Sequence, residues 1–252
     1  MPTCLPPAEH LEGLRTALVA FVRYAERAGL AAPVPTCPDW TVRDLIAHQG
    51  MVHRWAAATL RGERVDAEAF EREGRDSLDP LEWLRDGSIE FVQAFTDAPP
   101  DVAALVFLND APPPRAFWAR RQCHETTIHA VDALSAALGR APHGEETWVS
   151  RALALDGIDE LLAGFLTRRH SRLRSDDPGL LVVAPDDAEE WWEVEVSPEP
   201  AVTRRRTAEA AGPPEGDWEL TGPATDLYLR LWNRGKEAPL PDWRERAAVT
   251  WG

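Results

Sequence analysis

The chain has 252 residues with 42 acidic and 27 basic side chains, for a formal net charge of −15 at neutral pH. That length buries a full core and suits one large or two modest domains, of which two is the preferred reading, and the acidic balance argues against nucleic acid and anionic membranes as partners. No stretch approaches the ~20 apolar residues of a membrane span, and no basic segment precedes an apolar run at the start, so a cytosolic protein is expected.

Apolar residues at Leu11, Leu14, Leu18, Phe21, Val22 and Ala25 recur at the spacing of one helix face, predicting a helix over Ala8 to Ala28. Gly29 to Pro38 carries Pro33, Pro35 and Pro38 and reads as a fixed loop, since proline removes a donor and restricts its predecessor. Thr41 and Asp44 stand at capping-box spacing ahead of a second periodic run, so a second helix begins there. On it, His48 follows Leu45 by three residues and precedes Val52 by four and Trp55 by seven, which turns it inward. His53, five positions on and about 140° around, is expected at the surface or flank.

Ala56 to Leu78 is charged and irregular, and reads as a helix end followed by a long excursion that could cover a pocket; Arg72 and Arg75 lie in it. Asp79-Pro80 opens a third helix that Pro99-Pro100 closes, weakened slightly by Gly87. Pro112 to Pro114 lead into a fourth, from about Arg115 to Leu138 before Gly139. Four helices in roughly 140 residues are the content of a four-helix bundle with long connections.

Past Pro142 the pattern changes. A helix is expected over Thr147 to Arg169, then strands over Leu180 to Ala184, Trp191 to Val196, Val202 to Thr207 and Trp218 to Thr221, with turns at Asp186-Asp187 and Ser197-Pro198. A short helix through Asp226 to Arg234 follows, with Gly235 as its C-terminal cap. The expected fold class is therefore α+β, a helical bundle over residues 1–142 followed by a small α+β domain over 143–252.

The chemistry concentrates in Cys123-His124-Glu125-Thr126-Thr127-Ile128-His129-Ala130-Val131-Asp132. His124 and His129 are five apart and diverge by about 140°, so the spacing is wrong for the His-Glu-x-x-His helix of zinc proteases. Glu125 and His129 are four apart, about 40° around the helix and one turn along it, and their side chains converge. With His48 arriving from the second helix, two neutral imidazoles and one carboxylate face a common core. Either His48 is a hydrogen-bonded core histidine, or the three are ligands that would leave a coordination position open on a divalent ion and a net first-shell charge of about +1 that favours an anion there. Asp132, three residues after His129, either orients that ligand or pairs with an arginine at the bundle rim. Three scattered cysteines, Cys4, Cys37 and Cys123, make neither a disulfide framework nor a thiolate zinc knuckle: Cys123 reads as a small buried residue and Cys37 as packed. His124 reads as solvent-facing, and the eleven tryptophans fill cores or line pockets.

Three runs carry a family resemblance: Pro35 through His48, His124 through Ala133, and Leu220 through Arg234. Together they closely resemble the mycothiol-dependent maleylpyruvate isomerase family, across nearly the whole chain. The resemblance implies an N-terminal DinB-like four-helix bundle, a C-terminal domain similar to sterol-carrier folds, and a zinc-type metal held by His48, Glu125 and His129. It also implies mycothiol, the low-molecular-weight thiol of actinobacteria, as cosubstrate, acting on a small activated electrophile by isomerisation or by thiol transfer. Arg234 matches an arginine that the family presents to the substrate. A hydrolase with metal-activated water and a non-catalytic metal-binding regulatory module are the alternatives, and either a monomer or a homodimer is compatible with the chain.

Overall fold

A computed structural model of the chain describes residues 5–207, 212–235 and 240–249. Two compact units emerge. One holds Pro6–Val106 and Pro112–Pro142, and the other holds Phe107–Ala111 and the chain from His143 onward. The fold is α+β, with the long helices in the first unit and a four-stranded sheet in the second. Among the described residues no helix is long and apolar enough to cross a membrane.

The first unit opens with α1 (Pro7–Ala28), whose Leu14, Ala17, Phe21, Val22 and Ala25 are buried. The proline-rich stretch after it is a small hairpin rather than a plain loop: β1 (Pro33–Val34) pairs antiparallel with β2 (Cys37–Thr41). Proline is tolerated in such a short, edge-only ladder, where few amide donors are needed. α2 (Val42–Arg61) starts at the expected capping box, with the Thr41 amide donating to Asp44 Oδ2 at 3.0 Å and the Asp44 amide to Thr41 Oγ1 at 3.4 Å. It continues past Ala56 to a left-handed Gly62.

The charged excursion contains a further helix, α3 (Ala67–Asp76), capped by Asp66. Hydrophobic periodicity could not show it, because its only buried residue is Gly74. The Trp83 ring of α4 (Pro80–Asp97) lies over Gly74 and over Gly50 of α2, where a Cβ would sit 2.6 Å and 2.1 Å from the indole. Gly87, read from sequence as a weak point of α4, is where the Arg54 side chain crosses that helix, with Arg54 Nη2 donating to the Trp83 carbonyl at 2.8 Å. α5 (Pro114–Leu138) is buried at every position from Phe117 to Ser135 and ends at a left-handed Gly139. It packs against α1 and α2, and α2 in turn packs against α3 and α4.

In the second unit α6 (Arg151–Asp159), capped by Ser150, passes into a π-helical turn over Glu160–Phe165. The sheet order is β5 (Val202–Thr207), β4 (Glu190–Val196), β3 (Gly179–Pro185), β6 (Trp218–Gly222), antiparallel except for the β3–β6 pair. Buried Trp192 donates from Nε1 to Asp159 Oδ1 at 3.0 Å, and Thr203 Oγ1 to the Leu162 carbonyl at 2.6 Å, which anchors the sheet to the α6 region. The arginines of β5 pair across strands with the glutamates of β4: Arg204 with Glu195, Arg205 with Glu190 and Arg206 with Glu193. α7 (Ala224–Leu231) stops earlier than its sequence pattern suggests. Asn233, at φ 65°, takes the left-handed position expected of Gly235, and the Arg234 amide closes back onto the Leu229 carbonyl at 2.7 Å. Asparagine tolerates that backbone region better than most residues. Among the described residues a short helix, α8 (Trp243–Arg246), follows.

Candidate metal centre

The helix register that buries Leu45 and Val52 carries His48 with them to the inner side of α2, where its side chain is 15% exposed. From α5, Glu125 and His129 arrive one turn apart, both buried. Glu125 Oε1 lies 3.4 Å from His48 Nε2 and 3.2 Å from His129 Nε2. One donor atom from each of the three residues falls within 4.8 Å of the others. A tetrahedral ion with bonds of about 2.0–2.1 Å sets neighbouring ligand atoms roughly 3.3 Å apart, so the carboxylate-to-imidazole separations fit shared coordination of a divalent ion. The donor chemistry, two nitrogens and one oxygen, suits zinc and leaves room for a fourth ligand.

A second layer of side chains fixes Glu125 and His129. Asp132 Oδ2 lies 2.9 Å from His129 Nδ1, which keeps a proton on that nitrogen and turns Nε2 towards Glu125. Asp132 is itself held from the hairpin: Thr36 Oγ1 donates to Oδ1 at 2.6 Å and Cys37 Sγ to Oδ2 at 3.5 Å, while Ser135 Oγ lies 2.8 Å from Thr36 Oγ1. Asp132 is fully buried and belongs to this network rather than to a bundle rim. Arg121 Nη2 donates to the second Glu125 oxygen, Oε2, at 2.8 Å. The Trp40 ring lies against both imidazoles, tilted to His48 with centroids 4.9 Å apart and stacked with His129 at 5.9 Å.

Burial alone would raise the Glu125 carboxyl, but hydrogen bonds from His129 and His48 and the charge of Arg121 outweigh it and hold it well below the usual range. Glu125 is therefore an anion, the state a ligand needs. Burial would lower His129, and the bonds to Asp132 and Glu125 overcome that and raise it. The imidazole is thus poised between two carboxylates, Asp132 at Nδ1 and Glu125 at Nε2.

Two histidines differ from their sequence expectation. His53 and His124 are both fully buried. His53 sits about 140° from His48 on α2, but α2 is covered on that side too: His53 Nε2 lies 2.9 Å from Thr126 Oγ1 of α5 and 2.8 Å from Gln49 Nε2. His124 faces His10 of α1, ring centroids 6.1 Å apart. A periodicity argument assumes one buried face, and both helices here are packed on more than one. Cys123 is buried as expected; Cys37 and Cys123 form no disulfide, and Cys4 lies outside the described residues. Arg72 pairs with Asp66 and Glu68, and Arg75 with Asp44 and Glu71, on the exposed side of α3. Arg234 belongs to the second unit, just beyond α7, where its Nη1 donates to the Trp232 carbonyl at 2.7 Å. Sequence reasoning passed over Thr36, Trp40 and Arg121. Of these only Arg121 carried a signal, its four-residue spacing ahead of Glu125.

A helical unit with a buried two-histidine, one-carboxylate cluster, followed by a small α+β unit, defines the class of protein. The sequence pattern of the mycothiol maleylpyruvate isomerase N-terminal domain matches residues 11–134, and that of the MDMPI C-terminal domain matches residues 152–252. The chain belongs to the mycothiol-dependent maleylpyruvate isomerase family. Among solved structures, the crystal structure of the mycothiol-dependent maleylpyruvate isomerase shares the fold with a TM-score of 0.59 and 16% identity, covering 93% of this chain and 92% of that one. A histidine-to-alanine mutant of a mycothiol-dependent maleylpyruvate isomerase matches with a TM-score of 0.59 and 15% identity, over 90% of this chain and 88% of that one. No curated protein sequence matches the chain.

The buried His53 gives a pH signature. Burial, reinforced by the nearby Arg54 charge, pushes its pKa down to about 3, whereas the unfolded chain takes up that proton near pH 6.5. Between those values the unfolded state binds more protons, so stability is lost as pH falls below about 6.5, by up to about 1.4 kcal/mol per pH unit from this residue. Urea unfolding of the metal-free protein between pH 7 and pH 4.5 should show this slope, and His53→Gln should flatten it; equal slopes in both proteins would contradict a neutral buried His53.

Proposed function

We propose that the chain is a metal-dependent enzyme that uses mycothiol to isomerise a small, activated cis alkene, or to transfer the thiol to a related electrophile. The observation that carries this reading is the placement of one Glu125 oxygen against the Nε2 atoms of His48 and His129, inside a fold of this family. His48, Glu125 and His129 would hold the divalent ion, zinc by the character of the donors, and the ion would supply the Lewis acidity that makes a thiol ionise near neutral pH.

The chain's own groups have distinct parts in such a reaction. Asp132 keeps the proton on His129 Nδ1, so that Nε2 presents its lone pair. Trp40 shields one side of the two imidazoles from water. Attack by the thiolate sulfur forms a carbon–sulfur bond and moves the alkene electrons onto the conjugated carbonyl. Rotation about the resulting single bond follows, and the returning electrons expel the thiolate and leave the trans alkene. In the transfer variant the proton that the thiol gave up on ionising is delivered to the carbon instead, and the thioether is kept. The electrophile's carboxylates need a cation, and Arg234 is the candidate on the family pattern, since a guanidinium recognises a carboxylate through two parallel hydrogen bonds. A cytosolic setting and small-molecule partners accompany this reading.

Isothermal titration of mycothiol into zinc-loaded protein should give saturable binding that disappears after chelation; binding that is absent, or the same with and without zinc, contradicts the proposal. Arg234→Gln should raise KM for a carboxylate-bearing alkene at least tenfold while thiol binding is unchanged, and an unchanged KM would remove Arg234 from the site.

A further inference from the structure

Arg121 is one of the largest fully buried side chains of the protein. It lies one turn before Glu125 on α5 and donates from Nη2 to Oε2 at 2.8 Å. Arginine is almost never fully buried unless it is paired, and an apolar residue of similar volume commonly stabilises a core as well as a buried ion pair does. One consequence of placing a guanidinium here shows in the geometry around Glu125. Its two oxygens are divided between different tasks: Oε1 faces the imidazoles of His48 and His129, and Oε2 is taken by Arg121. A carboxylate with both oxygens available can bind a metal through one or through two. Each additional protein oxygen on the ion occupies a position that an incoming ligand needs.

We propose that Arg121 is a positioning residue that restricts Glu125 to one-oxygen ligation and thereby keeps a coordination position open for the thiol. The proposal rests on the metal reading given under the proposed function. Arg121 does not touch substrate; it acts through Glu125. The rigid guanidinium suits this task because it fixes the direction of the carboxylate as well as its charge.

Cobalt(II) in place of zinc reports coordination number directly, because four-coordinate cobalt absorbs visible light more strongly than five-coordinate cobalt. The wild-type protein and Arg121→Lys, which keeps a charged donor, should both give the intense four-coordinate spectrum. Arg121→Met, similar in volume but without a donor, should lose at least half of that intensity and bind zinc about 10- to 100-fold more weakly in chelator competition. A merely structural role would lower the melting temperature of Arg121→Met and leave the cobalt spectrum unchanged, and that result overturns the proposal. Should Arg121→Met fail to fold, X-ray absorption at the zinc edge of the wild-type protein decides: one carboxylate oxygen at bonding distance supports it, and two overturn it. A wild-type protein that binds no stoichiometric metal would overturn the metal site itself, whereas bound metal with a two-oxygen Glu125 overturns only the role of Arg121.

Discussion

The first unit is organised around a single oxygen atom, Glu125 Oε1, which lies between the Nε2 atoms of His48 and His129. Two helices must hold their registers for this to happen. The Thr41–Asp44 capping box sets where α2 begins, and with it the face on which His48 emerges. α5 is buried along nineteen consecutive residues, Phe117 to Ser135, so Glu125 and His129 have no freedom to rotate outward. The β1–β2 hairpin completes the arrangement by delivering Thr36 to Asp132, and through Asp132 it fixes the His129 ring.

This arrangement places an unusual number of ionisable groups inside a helical core. Arg121, Glu125, His129 and Asp132 are all buried, and each is hydrogen-bonded to a neighbour in the chain that links them. A buried charge without a partner is strongly destabilising, so such a network holds together only when it is complete, and removing one member leaves the next exposed to the full desolvation penalty. The pairing of Arg121 with Glu125, and the bonds of the His129 imidazole to both Glu125 and Asp132, are what make the interior tolerable. The same bonds leave Glu125 anionic and direct His129 Nε2 at the shared centre. Stability and the orientation of the three donor atoms are thus properties of the same bonds.

Much of this was legible in the sequence, for definite physical reasons. The 3.6-residue period brings Glu125 and His129 together and separates His124 from them, and it places His48 beside Leu45 and Val52. The strands of the second unit follow from alternation, and their bounds agree with the pattern to within a residue or so. What the sequence hid has equally plain causes. α3 has no apolar stripe, because the Trp83 ring over Gly74 holds it instead of a row of side chains. His53 and His124 looked solvent-facing because a periodicity argument allots each helix one buried face, and α2 and α5 are covered on several. The contacts of Thr36 and Trp40 with the site depend on a hairpin that a run of prolines disguised as a loop.

The family resemblance and the helix geometry select the same three residues by independent routes, one from sequence pattern and the other from angular spacing. Their agreement rests on the claim that these atoms share one ion. The most direct test is a crystal structure of the zinc-loaded protein with data collected at the zinc edge. The account predicts a single anomalous peak within about 2.0–2.2 Å of His48 Nε2, His129 Nε2 and Glu125 Oε1; no peak there, or a peak that one of the three does not touch, would contradict it.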